Sequence, residues 1–138
     1  MPASNYAGNA VLDMLLRGVA FTPPVRVYVS LHTADPGPTG LHEVTTAQWP
    51  SYVRQDPSLG EDITTGFTVP DSKVSRNAKQ MTFGTVDGTV EIVVTHSAVW
   101  DSFDSGNMLD YGKLEPPRTL APTDVCVINP DKLTHTVL

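Results

Sequence analysis

The triplet Asp104-Ser105-Gly106 matches the Asp-Ser/Thr-Gly sequence of aspartic proteases. Such an enzyme needs two aspartates that face each other and share a proton, so a single triplet would require a homodimer. The flanking residues argue against a protease, because Asp101-Ser102 precedes the triplet and the polar Asn107 follows it. They indicate a plain turn instead of a buried apolar hairpin.

Three further patterns that could bind a phosphate or a metal are incomplete. Residues 106–113 have five residues between their two glycines, and Leu114 replaces the Ser or Thr that holds magnesium in a phosphate-binding loop. The cluster of Asp101, Asp104 and Asp110 lacks the alternating oxygens of a calcium loop, since Phe103 occupies one ligand position. The four histidines form no His-x-His or His-x-x-x-His pair of the kind that binds a metal. They are His32, His42, His96 and His135.

No pattern in the chain predicts an enzyme. A Gly-x-Ser-x-Gly nucleophile elbow is missing, and no pair of carboxylates at strand ends stands out as a hydrolytic site. We therefore expect no catalytic residues, no metal and no cofactor. His32 and His96 fall at strand ends, where a hydrogen-bonded structural role is the commonest one.

Composition narrows the classes of partner. The 138 residues suffice for one domain with its own core, and the net charge is −6 with nine scattered Lys and Arg. Without a basic stripe, neither nucleic acid nor an anionic membrane surface is an expected partner. The single Cys126 excludes an internal disulfide and is expected to be buried. No apolar run approaches a membrane span and residues 1–4 do not resemble a signal peptide, so we expect synthesis in a cytosol.

The elements that would position any site are one helix and a series of strands. Residues 4–17 predict a helix, with Ser4 or Asn5 as its N-cap and Gly18 as its C-cap. Its apolar stripe predicts packing on the body of the protein, although docking on a neighbouring subunit remains open. Residues 25–32 alternate strictly and predict a strand with one buried face and one wet face. Residues 33–62 form a long Pro-rich loop.

From residue 63 onward the chain predicts short strands separated by turns. Asp87-Gly88 is a candidate hairpin turn, residues 95–97 a candidate bulge, and residues 101–107 a turn. Val90, Ile92, Val94, Ala98 and Trp100 are expected on one buried face. The fold class is therefore mainly β, a single β-sandwich or jelly-roll-like domain over residues 1–138 with one N-terminal α-helix. The predicted strands are residues 63–69, 80–83, 89–100, 108–114, 125–128 and 133–138.

The Pro-rich loop is where we expect a contact surface, because long loops in compact domains are usually functional. Large aromatic residues are enriched at interface hot spots. The candidate protein-interface residues are Trp49, Tyr52, Arg54, Pro36 and Pro38.

Several segments, in order along the chain, resemble a family of small tailed-bacteriophage virion proteins that are tail-fibre-like, some of them related to capsid cement proteins. The resemblance includes the sequence His32-Thr33-Ala34-Asp35-Pro36-Gly37 after a strand, and a Gly106-Asn107-Met108-Leu109 turn in which Met108 stands where the family has leucine. It departs from the family in a longer, Pro-rich stretch over residues 49–69. The segments concerned are residues 6–13, 28–37, 53–54, 81–83, 95–101 and 105–109.

This resemblance implies a non-enzymatic virion structural protein, assembled in the bacterial cytoplasm. The first hypothesis is a capsid decoration (cement) protein that binds the major capsid protein and stabilises the mature head shell. The alternative is a tail-fibre-like or minor tail protein, acting as an adapter or in host contact, whose partners are tail proteins. Self-association as a dimer or trimer is expected in both cases.

Overall fold

The computed structural model describes residues 2–136. It is mainly β with one N-terminal helix, α1 (Asn5–Arg17), which confirms the predicted class. The strands are β1 (Tyr28–His32), β2 (Val74–Arg76), β3 (Met81–Thr85), β4 (Ile92–Trp100), β5 (Met108–Leu120), β6 (Val125–Ile128) and β7 (Thr134–Thr136). The three-stranded antiparallel sheet has the order β1-β4-β5, and two smaller sheets pair β2 with β7 and β3 with β6.

Local capping defines both ends of α1. The Ser4 hydroxyl accepts a hydrogen bond from the Ala7 amide at 3.0 Å, which satisfies one of the free donors of the first turn. Gly18 ends the helix with φ 66°, and its N–H donates to the Asp13 carbonyl. This left-handed conformation is one that glycine adopts without steric cost, so the sequence signals and the structure agree.

The packing of α1 differs from the prediction. No residue of the helix is buried. Its attachment is the segment before it, where the Ser4 amide donates to the Leu109 carbonyl and the Tyr111 amide donates to the Pro2 carbonyl along the edge of β5. The helix is thus fixed at its start by backbone pairing, and the expectation that its apolar stripe packs on the body is wrong.

A bulge in β4 inverts the alternation of its side chains between the two faces of the central sheet. The register with β5 shifts between Val94 and His96, as the sequence predicts. Because one extra residue inverts the alternation of side chains, Val94 and Val99 both join the main core. Trp100 is buried as expected, but it packs on the other face with Ala98 and Met108. Val90, expected on the buried face, precedes β4 and is 69% exposed.

Strand β1 has no solvent-exposed side, because both of its faces are covered. Residues 29–32 are all buried. Val29 and Leu31 enter the main core, whereas Ser30 and His32 lie on the face that contains Trp100. The prediction of one solvated face is wrong because residues distant in sequence, Trp100 among them, cover that face.

Two other predictions need correction. The predicted strand over residues 63–69 begins instead with a 3₁₀ turn (Ile63–Thr65), because the Asp62 carboxylate accepts from the Thr64 amide and caps the turn. Asp87-Gly88 is not a hairpin, since β3 pairs with β6 and β4 with β1 and β5. Gly88 instead lies against the backbone of Gln48, where a Cβ atom would be 2.0 Å from the carbonyl oxygen.

Strand β2 was not predicted, because it is only three residues long and follows two turn residues, Ser72 and Lys73, that have positive φ. Its partner β7 lies within the predicted strand 133–138, of which residues 137 and 138 are outside the described part of the chain. The prediction for Cys126 is confirmed, because this thiol is buried in the main core.

Candidate interaction site

Arg54, a candidate surface residue, lies at the centre of a buried polar cluster. Its Nε and Nη2 donate to the two carboxylate oxygens of Glu43 at 2.9 and 2.8 Å, in the paired geometry that suits guanidinium and carboxylate. Nη1 donates to the carbonyl oxygens of Ser102 and Ser105 at 2.9 and 2.7 Å. The guanidinium also lies 3.9 Å from the centre of the Trp100 ring, a cation–π distance.

Tyr52 connects this cluster to the central sheet. Its hydroxyl donates to Glu43 Oε1 at 3.0 Å and accepts from the Leu31 amide at 2.9 Å. Burial and then the nearby Glu43 charge raise the pKa of the Tyr52 phenol well above its usual value. Tyr52 therefore remains a neutral hydrogen-bonding group that ties residues 33–62 to β1.

A second buried network joins Ser30, His32 and Trp100. His32 Nδ1 lies 2.7 Å from the Leu41 carbonyl oxygen, which can only accept, so Nδ1 carries the hydrogen. His32 Nε2 then accepts from the Ser30 hydroxyl at 2.7 Å, while Trp100 Nε1 donates to the same oxygen at 2.8 Å. Desolvation by burial lowers the pKa of His32 to about 4, which keeps the ring neutral. The structural role expected for His32 is confirmed.

The pair of Ser30 and His32 has the short contact of a serine nucleophile and its base. Both side chains are fully buried, however, and the Ser30 oxygen is already bonded to the indole of Trp100. A substrate cannot reach this oxygen in the folded chain. This pair therefore holds the second face of the sheet together.

Residues 101–107, which the sequence identifies as a turn, form a rigid loop. The Asp101 carboxylate accepts from the Asn107 amide at 2.7 Å and from the Asn107 side chain at 3.0 Å. Gly106 has φ 78°, and a Cβ atom there would lie 2.5 Å from that of Ser102, so only glycine fits. Together with the two bonds from Arg54, these contacts fix the loop from inside.

The rigid loop presents Phe103 to solvent. Its side chain is 50% exposed, and its ring lies edge-on to Tyr28 with centroids 5.6 Å apart. Beside it is an open groove of about 500 Å³, which we call the Phe103 groove. Its lining residues are Glu43, Val44, Thr45, Thr46, Tyr52, Val53, Arg54, Phe103 and Asp104.

The structure places most of the predicted contact residues inside the fold. Trp49 is 0% exposed, and its indole N–H donates to the Thr85 carbonyl at 3.0 Å. Tyr52, Arg54 and Pro36 are also buried, and only Pro38 is exposed. The aromatic residues of the loop are internal because the loop folds over the core. Tyr52 and Arg54 reach the groove only as part of its floor, and the exposed Phe103 was overlooked because its segment looked like an ordinary turn.

The aspartates considered for calcium do not converge. Asp101 is bound to Asn107 within the turn, whereas Asp110 pairs with His135 at 2.5 Å between Oδ2 and Nδ1. This pair joins β5 to β7, and the His135 ring lies edge-on to Phe67 at 4.8 Å. Across residues 2–136, no three His, Cys, Asp or Glu side chains are grouped in a way that could hold a metal.

A family model matches almost the whole chain. It describes the podophage GP4 fiber I protein gp80 and covers residues 2–136. This chain belongs to that family. It is therefore a structural component of a tailed-phage virion, as the resemblance implied. The search of curated proteins gave no match to this gp80-family chain. Within the described part of the protein, no helix is long and apolar enough to cross a membrane.

Proposed function

We propose that this protein is a small, non-catalytic subunit of the fibre apparatus of the phage, and that the Phe103 groove is its contact with another virion protein. The name of the matching family supports a fibre role. The single structural observation that carries the proposal is the rigid loop 101–107, in which an exposed aromatic residue stands beside an open groove.

Preorganisation is the physical reason to favour this loop over other exposed segments. A loop that is already ordered loses little conformational entropy when a partner binds, so more of the contact energy appears as affinity. Arg54 provides this order from the inner side of the loop, because its two hydrogen bonds to the Ser102 and Ser105 carbonyls are partly buried. Aromatic residues in such positions commonly contribute most of the binding energy of an interface.

A structural role fits the polar groups better than catalysis does. The Ser30–His32 pair and the Arg54–Glu43 pair both have the contacts of reactive groups. Each is fully engaged within the fold, where it joins segments that are distant in sequence. Burial of such networks rigidifies a small body, which is what a repeated building block of a particle requires.

Capsid decoration, the first hypothesis from the sequence, is the second candidate. The compact body without a repeated shaft sequence favours it over a long fibre, although a short adapter would lack a shaft too. A decoration protein stabilises the shell by binding the assembled state in many copies. The family name favours the fibre, so we rank the fibre first.

Location and copy number on the particle separate the two candidates. The experiment is to label purified virions with an antibody against this protein and to count its copies by quantitative mass spectrometry. We expect label at the tail and a few to a few dozen copies per particle. Label over the head with hundreds of copies would contradict the fibre assignment and support decoration, as would an increase in the heat resistance of capsids to which the protein is added.

The groove itself is tested by the substitution Phe103→Ser. We expect the purified variant to fold with unchanged stability but to be depleted from virions at least about tenfold, the loss typical of one hot-spot side chain. The matched control is Val90→Ser, which removes an apolar side chain that is 69% exposed elsewhere on the body. Equal incorporation of the two variants would remove the Phe103 groove from the proposal.

A further inference from the structure

Helix α1 and the residue that follows its cap carry an unusual share of the exposed apolar surface. Seven of the sixteen exposed large hydrophobic side chains of the described chain fall within residues 6–19, and Leu15 and Leu16 are 71% and 76% exposed. The seven are Tyr6, Val11, Leu12, Met14, Leu15, Leu16 and Val19. A soluble protein rarely leaves such a continuous patch open unless something binds there.

Some of these side chains lie along a stripe that suits another helix. Gly8, Leu12 and Leu15 follow one another at intervals of four and three residues within α1, the spacing of an apolar coiled-coil stripe. Val11 and Leu16 flank this stripe and widen it. We call Gly8, Leu12 and Leu15 the α1 seam.

Gly8 is the second observation that points to a partner. Glycine weakens a helix interior relative to alanine. A Cβ atom at Gly8 would meet nothing within 4 Å, so nothing in this chain requires a residue without a side chain here. Its place in line with Leu12 and Leu15 lets a second backbone approach closely, which is the usual benefit of a small residue between two helices.

We propose that the α1 seam is a self-association surface whose occupant is α1 of another copy of this chain. Within the seam, Leu12 and Leu15 are 56% and 71% exposed, and the flanking Leu16 is 76% exposed. A second α1 packed along this stripe would remove these side chains from water, which favours association.

The charge distribution selects a second copy over other occupants. Asp13 and Arg17 are the only charged residues among residues 1–25, and they pair with each other at 2.7 Å. The side chains of residues 1–25 therefore carry no net charge, and the net charge of −6 comes from the rest of the chain. A neutral face can meet its own copy without repulsion. An amphipathic helix that binds an anionic membrane carries several Lys or Arg on its polar face, which α1 lacks.

The test is the mass of the purified protein as a function of concentration, measured by sedimentation equilibrium. We expect the wild type to be an oligomer at about 10 µM, the affinity range of a modest interface. The variant Leu12→Ser/Leu15→Ser should remain a monomer at that concentration with an intact β body. The control Val90→Ser/Val125→Ser, which removes exposed apolar residues from the body, should associate like the wild type.

A charge placed in the seam gives a second, independent test of the proposal. Gly8→Glu has room in the single chain and should weaken association at least about tenfold, because a carboxylate would be buried between the helices. Asn9→Glu adds the same charge one position further on, towards the polar side, and should have a much smaller effect. A wild type that stays monomeric, equal effects of the two variants, or binding of α1 to anionic vesicles by a monomeric chain would overturn the proposal.

Discussion

Helix α1 and the Pro-rich segment of residues 33–62 differ in whether their apolar side chains are buried. The helix has the most regular apolar pattern in the chain, yet none of its residues is buried. The Pro-rich segment has no strand or α-helix, yet it contributes Val44, Trp49 and Tyr52 to the main core.

The difference lies in how each region is attached. Residues 33–62 are connected to the body by backbone bridges from Val29 to Gln55 and from His32 to Glu43, and by the polar contacts of Tyr52 and Arg54. The backbone hydrogen bonds that attach the helix come from the few residues that precede it, along β5, and none of the helix residues is buried. Regular periodicity thus determines that α1 is a helix, whereas cross-connections determine which region forms the core.

The largest loss of stability that tests this contrast is expected for a substitution in the Pro-rich segment. Trp49→Ala should lower the free energy of unfolding by about 4 kcal/mol, because it leaves a large cavity and an unpaired Thr85 carbonyl. Urea unfolding followed by circular dichroism measures this change. A loss below about 1 kcal/mol would mean that Trp49 is not a core residue.

Removing one partner of the Arg54–Glu43 pair should have the next largest effect. Arg54→Met keeps much of the side-chain volume but leaves the Glu43 carboxylate unpaired, at a cost of about 3 kcal/mol. Hydrogen exchange in residues 101–107 should also become faster, since the loop loses two hydrogen bonds.

The double variant Arg54→Met/Glu43→Gln is the matched control, because it removes the unpaired charge. It should recover part of the lost stability while the exchange in the loop stays fast. If the single and double variants are equally unstable, the cost does not come from the unpaired carboxylate.

Acid should weaken the fold through His32. Its pKa is about 4 in the folded chain and near 6.5 when unfolded, so below pH 6.5 the unfolded state binds more protons and stability falls. Between pH 7 and pH 5 the loss from this residue is about 2 kcal/mol, and it is complete once the pH is below about 4. His32→Gln should be less stable at pH 7 but should lose less stability over the same range. Equal pH dependence of the two proteins would exclude His32 as the cause.

The smallest change in the free energy of unfolding is expected for a substitution in α1. Leu16→Ser removes a side chain that is already in water, so the stability of the single chain should change by less than about 0.5 kcal/mol. Measurement at concentrations below the association range keeps self-contact from contributing. A cost near that of Trp49→Ala would show that α1 packs on its own body after all.

Sequence signals predicted what depends on neighbouring residues. The caps Ser4 and Gly18, the bulge in β4 and the turn at residues 101–107 are all set by local chemistry, and the structure contains each of them. The mainly β class follows from the same short-range patterns.

Features that depend on distant partners could not be predicted. The predicted hairpin at Asp87-Gly88 is absent because β3 pairs with β6, whose residues lie at least forty positions further along the chain. The burial of the contact candidates Trp49 and Arg54 could not be predicted, because their hydrogen-bond partners Thr85, Ser102 and Ser105 are distant in sequence. Phe103 became a candidate only when the structure placed it beside the groove.

Chemical cross-linking through the seam tests the central contrast most directly. The variant Leu15→Cys would be treated with a bismaleimide whose reach of about 10 Å matches the spacing of packed helices. Cys126 is buried and should not react in the folded chain. The control is Val90→Cys, an exposed position on the body. We predict that L15C gives covalent dimers at low micromolar concentration while V90C remains single. Equal cross-linking of the two variants, or none in either, would contradict an α1 seam that is exposed in one chain and covered by another.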